Sequence, residues 1–121
     1  MLEETIQERL ADELALGAAT AVGLWHKGQL CGVAAWKLQD GPPPVCVCAL
    51  VAVQEGFQRR GFGRRLKNEV VEQARAAGAV AVRSIVHWDN DPMIQLNVSL
   101  GASVETLRGG PDYCVCVIPL G

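Results

Sequence analysis

Residues 58–65 read Gln58-Arg59-Arg60-Gly61-Phe62-Gly63-Arg64-Arg65, with four arginines set around two glycines. Five of the chain's 11 Lys and Arg fall between Arg59 and Lys67, yet the 121 residues together carry a formal net charge of −2. Glycines let an anion approach main-chain N–H groups, and arginines add charge-assisted hydrogen bonds. Such a stretch could therefore cradle a phosphate or pyrophosphate. It could also hold nucleic acid, or it could be a tight turn carrying solvated arginines. Basicity confined to one segment of an acidic chain argues against a nucleic-acid binder, whose surface would be basic as a whole. A small anionic ligand fits better.

Cysteine is the other reactive residue type. Cys46 and Cys48 form one C-x-C pair and Cys114 and Cys116 another, both within apolar runs. Zinc sites commonly use C-x-x-C on turns, so no metal is expected, and these thiols read as small core residues. No base or positive charge stands near them in sequence, which argues against a nucleophilic cysteine. Five cysteines are an odd number without a secreted spacing, and the expectation is reduced thiols in a cytoplasmic protein.

These groups need elements to position them. A content of 50% hydrophobic and 20% charged residues can supply a core and is unlike a disordered chain. Residues 1–121 are expected to form a single domain. Leu2, Ile6, Leu10 and Leu14 recur every four residues among acids, which predicts an amphipathic helix ending near Gly17. The acidic start does not resemble a signal peptide, and no apolar run is long enough for a membrane span. AVGLW and LCGVAAWKL, separated by HKGQ, predict a hairpin, in which Trp25 and Trp36 read as packing residues. QDGPPP is a connection.

Val45 to Val53, VCVCALVAV, is apolar throughout and predicts a strand buried on both faces in the middle of a sheet. Phe62, Leu66, Val70, Ala74 and Ala77 then form a helical stripe with Gly78 as its stop. AVAVRSIVH (residues 79–87) follows as a strand, giving a βαβ unit with parallel strands. Asp91-Pro92 predicts a helix start with Asp91 as cap, and Met93, Leu96 and Leu100 its core face, closed by Gly101. SVETL, a GGPD turn and YCVCVIP predict a closing hairpin. The sum is a mixed α/β sheet with helices on both faces.

The glycine-rich stretch thus lies between a buried strand and a helix. There, unpaired N–H groups and the helix dipole favour an anion. The spacing is neither that of a Walker loop nor the full G-x-G-x-x-G dinucleotide fingerprint. Arg64 and Arg65 oppose the dipole of the first turn, a cost that a nearby anion would offset.

LVAVQEGFQRRGFGRRL resembles the acetyl-CoA signature of the GNAT family of N-acetyltransferases, Q/R-x-x-G-x-G/A after a strand. NDPMIQLNVSLGA, from Asn90 to Ala102, is similar to that family's second motif, N-x-x-A/M-x-x-L-Y-x-x-L-G-F. The resemblance covers roughly residues 20 to 121. It implies a mixed β-sheet flanked by helices and splayed centrally between Val45–Val53 and Ala79–His87, with a shortened N-terminal region. It implies that Gln58, Arg59, Arg60, Gly61, Phe62, Gly63 and Arg64 hold the coenzyme A pyrophosphate. Val51 and Val53 would pair with the pantetheine arm, and one main-chain amide there would polarise the thioester carbonyl. Asn90 would bond the pantetheine region.

The chain also departs from this pattern. The family's frequent acid, a Tyr in the second helix, is Asn97 here, and the sole tyrosine is Tyr113. The usual Glu base on the central strand is missing, leaving His87, Asp89 and Glu105 as substitutes. Only about one helix precedes the hairpin, so the acceptor site is either open or walled by a second subunit, which makes a homodimer an expectation. The implied function is transfer of an acetyl group from acetyl-CoA to a primary amine of a small molecule or peptide, by direct attack through a tetrahedral intermediate. The alternative is a non-catalytic module that binds coenzyme A, an acyl-CoA or a protein partner. Neither a nucleic acid nor a membrane is an expected partner.

Overall fold

The structure, a computed structural model, describes residues 20–121. The amphipathic helix expected before Gly17 lies outside the described residues. Strands β1 (Thr20–His26) and β2 (Gln29–Gln39) form the first hairpin. Its two-residue turn is Lys27-Gly28, and both residues have positive φ, 52° and 78°. That conformation matches the right-handed twist of the flanking strands. β2 pairs antiparallel with β3 (Val45–Val53) through the proline-rich connection.

Helix α1 (Phe62–Ala76) carries the chain to β4 (Ala81–His87), which lies parallel to β3. Helix α2 (Asp91–Ser99) leads to β5 (Ser103–Leu107) and β6 (Gly110–Pro119), an antiparallel hairpin. The six strands form one sheet in the order β1-β2-β3-β4-β6-β5. The closing turn sits at Arg108-Gly109, upstream of the GGPD expected from sequence. Gly109 has the positive φ that such a reversal uses, and Pro111 and Asp112 are already in β6.

Both described helices stop the way their glycines predict. Gly78 donates to Arg75 O and Ala79 to Ala74 O, while Gly101 donates to Val98 O and Ala102 to Asn97 O. Each is a Schellman closure around a left-handed glycine. The start of α2 differs from expectation. Asn90, and not Asp91, is the cap, its side chain accepting from the Met93 N–H at 3.4 Å. Asp91 instead sits in the first turn, where its charge favours the helix dipole.

Val82, Ser84 and Val86 alternate along β4 and so share a sheet face. Val82 packs in the cluster that holds Leu66, Val70 and Ala74 of α1, and Val86 packs with Ile94 of α2. The two helices therefore lie side by side on one face of the sheet. The α1 stripe buries Phe62, Leu66, Val70 and Ala74 as expected, but Ala77 is exposed. Among the described residues, no helix is long and apolar enough to cross a membrane.

Two expectations about the core are corrected. In β3 only Cys46 and Cys48 are buried, and the remaining positions are half-buried. In α2 the buried residues are Ile94 and Asn97, whereas Met93, Leu96 and Leu100 are half-buried. Several of these half-buried residues, Val51, Val53, Met93 and Leu96 among them, line a cavity beside the sheet.

Candidate functional site

The parallel pairing of β3 with β4 is short. Its register is Cys46↔Val82 and Val47↔Arg83 and ends there. From Cys48 and Ser84 onward the two strands diverge, leaving a wedge. β3 remains paired to β2 on its other side up to Val53. Beyond Val47 one edge of β3 therefore presents main-chain groups with no β4 partner. Such an edge can bond an extended, amide-bearing chain.

Two cavities follow this wedge. The larger, about 560 Å³, is bounded by the β3 end (Val51–Val53), the glycine loop, and Asn90, Pro92, Met93 and Leu96 of α2. The smaller, about 160 Å³, reaches from Cys48 and Ser84 at the floor to His87 and Asn90. Val51, Asn90 and Met93 border both, so the two cavities adjoin.

The glycine loop is built to expose N–H groups. Gly61 caps α1 at φ 79°, and Arg59 is also left-handed at φ 62°. Arg65 N–H reaches Gly61 O at 3.1 Å, the first intrahelical bond of α1. The N–H groups of Phe62, Gly63 and Arg64 precede that bond. Among the described residues no side chain caps the helix, and no acid stands in its first turn to answer the positive end of its dipole. Gln58 Nε2 folds back onto Val53 O at 3.3 Å and ties the loop to the strand end.

Val51, Val53, Gln58, Arg59, Gly61, Phe62, Gly63, Arg64 and Asn90 all border the larger cavity. Arg60 does not. Its guanidinium lies over the rings of Phe57 and Phe62, 5.5 and 5.4 Å from their centroids. That is a packing role for one of the four arginines. Arg64 Nη2 donates to Ser99 Oγ at 2.8 Å.

Of the three candidate acid–base residues, His87 alone borders a cavity. His87 borders the smaller cavity, and its Nδ1 accepts from the Asp89 N–H at 3.1 Å, which places the ring hydrogen of the neutral form on Nε2. Nδ1 also lies 3.6 Å from Asp89 Oδ2, an ion pair only if the ring is protonated. The neutral arrangement accounts for the shorter contact. The Asp89 side chain is 94% exposed and borders neither cavity. Asn97 is fully buried, donates to Met93 O at 2.9 Å, and borders neither cavity. Its Oδ1 has no partner among the described residues. Tyr113 stacks edge-on against His87 at 5.0 Å, and Glu105 is exposed on β5.

Lys67 is the residue that sequence reading missed. It is 1% exposed, and its Nζ donates to Ser84 Oγ at 2.6 Å at the wedge floor. The signal was present in the spacing. Lys67 falls four residues after Gly63 and three before Val70, on the buried stripe of α1. All five cysteines are free and buried. Burial pushes Cys46 up to about 12, with the neighbouring Cys48 adding and the Lys67 charge partly opposing. Burial likewise raises Cys116 to about 11, helped by Cys114. Among the described residues, no three His, Cys, Asp or Glu gather in an arrangement that could hold a metal ion.

A splayed parallel strand pair, a half-free strand edge and an uncapped helix start meet along the wedge. Solved structures share this fold. A Bacillus subtilis acetyltransferase in complex with CoA superimposes with a TM-score of 0.79 at 18% identity, over 93% of this chain and 84% of that one. The PaiA N-acetyltransferase of Thermoplasma acidophilum, in complex with coenzyme A, gives 0.77 at 14% identity over 97% and 70%. The family model "Acetyltransferase (GNAT) family" matches residues 2–101, and the chain belongs to that family. A [ribosomal protein bS18]-alanine N-acetyltransferase of Salmonella typhimurium is 31% identical over 78 residues, 58% of this chain. The match spans 53% of that relative's length.

Proposed function

We propose that this chain binds acetyl-CoA in the wedge and transfers the acetyl group to a primary amine. One observation carries the reading: the glycine loop, the half-free edge of β3 and Asn90 border a single cavity of about 560 Å³. The pyrophosphate would lie on the N–H groups of Phe62, Gly63 and Arg64, with Arg59 and Arg64 adding charge. The pantetheine arm would pair with β3 at Val51 and Val53, and Asn90 would hold its amide from the other side. This leads the thioester toward the smaller cavity.

The acceptor amine attacks the thioester carbonyl carbon, a C–N bond forms, and the carbonyl electrons move onto oxygen. A main-chain N–H on the β3 edge near Val51 stabilises that oxyanion. The intermediate collapses, the C–S bond breaks, and the sulfur leaves as thiolate. A thiol with an ordinary pKa of about 8.5 leaves without a dedicated acid, which fits the lack of a tyrosine at Asn97. The attacking nitrogen loses its proton to solvent or to His87, once His87 Nδ1 is released from the Asp89 N–H. The Salmonella relative's name, an alanine N-acetyltransferase of a ribosomal protein, supports a peptide amine as acceptor.

A module that binds coenzyme A without turnover is the second reading. It is favoured by the lack of any carboxylate among the described residues bordering the two cavities. Acetyl-CoA is expected to raise the melting temperature, because it binds only the folded chain. No shift at millimolar acetyl-CoA would remove both readings. Release of free CoA thiol with a panel of peptide and small-molecule amines separates them. Release above the hydrolysis background establishes the transferase, and a silent panel with a clear thermal shift leaves the binding module.

A further inference from the structure

Lys67 occupies a position on α1 where an apolar side chain would complete the stripe of Leu66, Val70 and Ala74. It is 1% exposed and yet borders the smaller cavity, together with Ser84. Its one hydrogen-bond partner among the described residues is the Ser84 hydroxyl, at 2.6 Å. An ammonium has three N–H donors, so this bond leaves donors to spare. Among the described residues no carboxylate lies within ion-pair distance of it. The ionisable neighbours whose charge it feels are Cys46 and Cys116, and burial keeps both as neutral thiols. A charge taken out of water with no counter-charge among the described residues is unfavourable there compared with an apolar side chain. The ordinary economy of a core does not explain this lysine, whereas an anionic group arriving with a ligand does.

We infer that Lys67 and Ser84 form a carboxylate-binding subsite at the floor of the wedge, beyond the point where the thioester is placed. This rests on the coenzyme A reading above. The Ser84 hydroxyl accepts from Lys67 and keeps its own hydrogen to donate, so the pair offers a carboxylate two adjacent donors. The carboxylate has two sources. It is the free end of a dicarboxylic acyl chain on the coenzyme, such as succinyl, or it belongs to an acceptor that carries a carboxylate near its amine. In both cases the reactant places an anion on the coenzyme side of the sheet, in the cavity that shares Val51, Asn90 and Met93 with the larger one.

Calorimetry on the full chain tests this with named probes. For the donor source, succinyl-CoA is compared with butyryl-CoA, which has the same length and no carboxylate. For the acceptor source, β-alanine is compared with β-alaninamide in the presence of saturating CoA. In the wild type, a preference of about tenfold for the carboxylate member of one pair is expected, the size of one charge-assisted contact. The pair that shows it names the source. In Lys67→Met that ratio should fall to about one. Should Lys67→Met fail to fold, Ser84→Ala, which keeps the lysine, should lower the ratio about threefold. No preference in either pair overturns the subsite, and so does a preference that survives both variants. Failure of butyryl-CoA and CoA themselves to bind would instead overturn the coenzyme reading and the subsite with it.

Discussion

Arg64 on the first turn of α1 donates to Ser99 Oγ on the last turn of α2 at 2.8 Å, and Ser99 Oγ donates in turn to Leu96 O at 2.7 Å. This couples the two helices whose residues border the larger cavity. It also gives Arg64 a neutral partner at a helix start where its charge opposes the dipole. The guanidinium has donors left over for an anion. Arg64→Ala should weaken CoA binding about three- to tenfold and flatten its salt dependence, for the loss of about 1 kcal/mol of charge-assisted bonding. Ser99→Ala should change stability by no more than about 0.5 kcal/mol. Calorimetry at two ionic strengths checks the first, and urea denaturation the second.

The two loop glycines differ as targets. Gly61 sits at φ 79°, so any side chain there strains the backbone even though space is open around it. A loss of binding in a Gly61 variant would mix strain with occlusion. Gly63 has no such φ, and a Cβ there would lie 3.9 Å from Leu96 Cδ2 and from Val53 Cγ2, in ordinary contact. Gly63→Ala should therefore melt at or above the wild type, since Ala is favoured over Gly in a helix by up to about 1 kcal/mol. Its methyl enters the cavity mouth, and CoA affinity should drop about tenfold. Unchanged affinity would show that the pyrophosphate lies elsewhere.

Asn97→Leu separates structure from chemistry at the place of the family's tyrosine. Asn97 is fully buried with its Oδ1 unpartnered among the described residues. A leucine, with the same branching and number of side-chain heavy atoms, removes that orphaned oxygen and should raise stability by roughly 1 kcal/mol in urea denaturation. If thiol release also persists within about twofold, the amide has no part in the transfer. A loss of about a hundredfold in turnover with an intact thermal shift would give it one.

The thiols make a prediction about pH. Cys46 and Cys116 are raised from 9.0 to about 12 and about 11 by burial. In the unfolded chain they ionise near 9, while in the folded chain they keep their protons. Above pH 9 the folded state then binds more protons than the unfolded state, and stability falls as pH rises. Their contribution is complete below pH 9 and is lost progressively toward the folded values. Melting scans from pH 7 to 10.5 should show the fall, and Cys46→Ala or Cys116→Ala should make it shallower. Native alkylation at pH 8 should leave all five cysteines unmodified, and denaturant should expose them.

Features that depend on near neighbours were legible in the sequence. The strand–glycine loop–helix order, the stops at Gly78 and Gly101 and the C-x-C thiols as core residues could all be read there. Period and φ preference are written in consecutive residues. The cap of α2 was misplaced by one residue, because Asn90 and Asp91 are both good caps and only the backbone at Asn90 decides between them. The apolar run of β3 was read as buried on both faces, and Met93, Leu96 and Leu100 as the core face of α2. An apolar cavity wall and a core have the same composition, and a one-dimensional pattern does not distinguish them.

The sequence by itself determined that an anion could sit at Gly61–Gly63, since that rests on a local turn and a helix start. Only the tertiary structure decided how far that site extends. The wedge exists because β3 and β4, separated in sequence by the whole of α1, pair at Cys46–Val47 and then part. Along it Val51 shares a cavity with Asn90 and Met93, and Lys67 meets Ser84. Each juxtaposition joins residues far apart in the chain, fixed by strand register and helix packing, and no local preference encodes it.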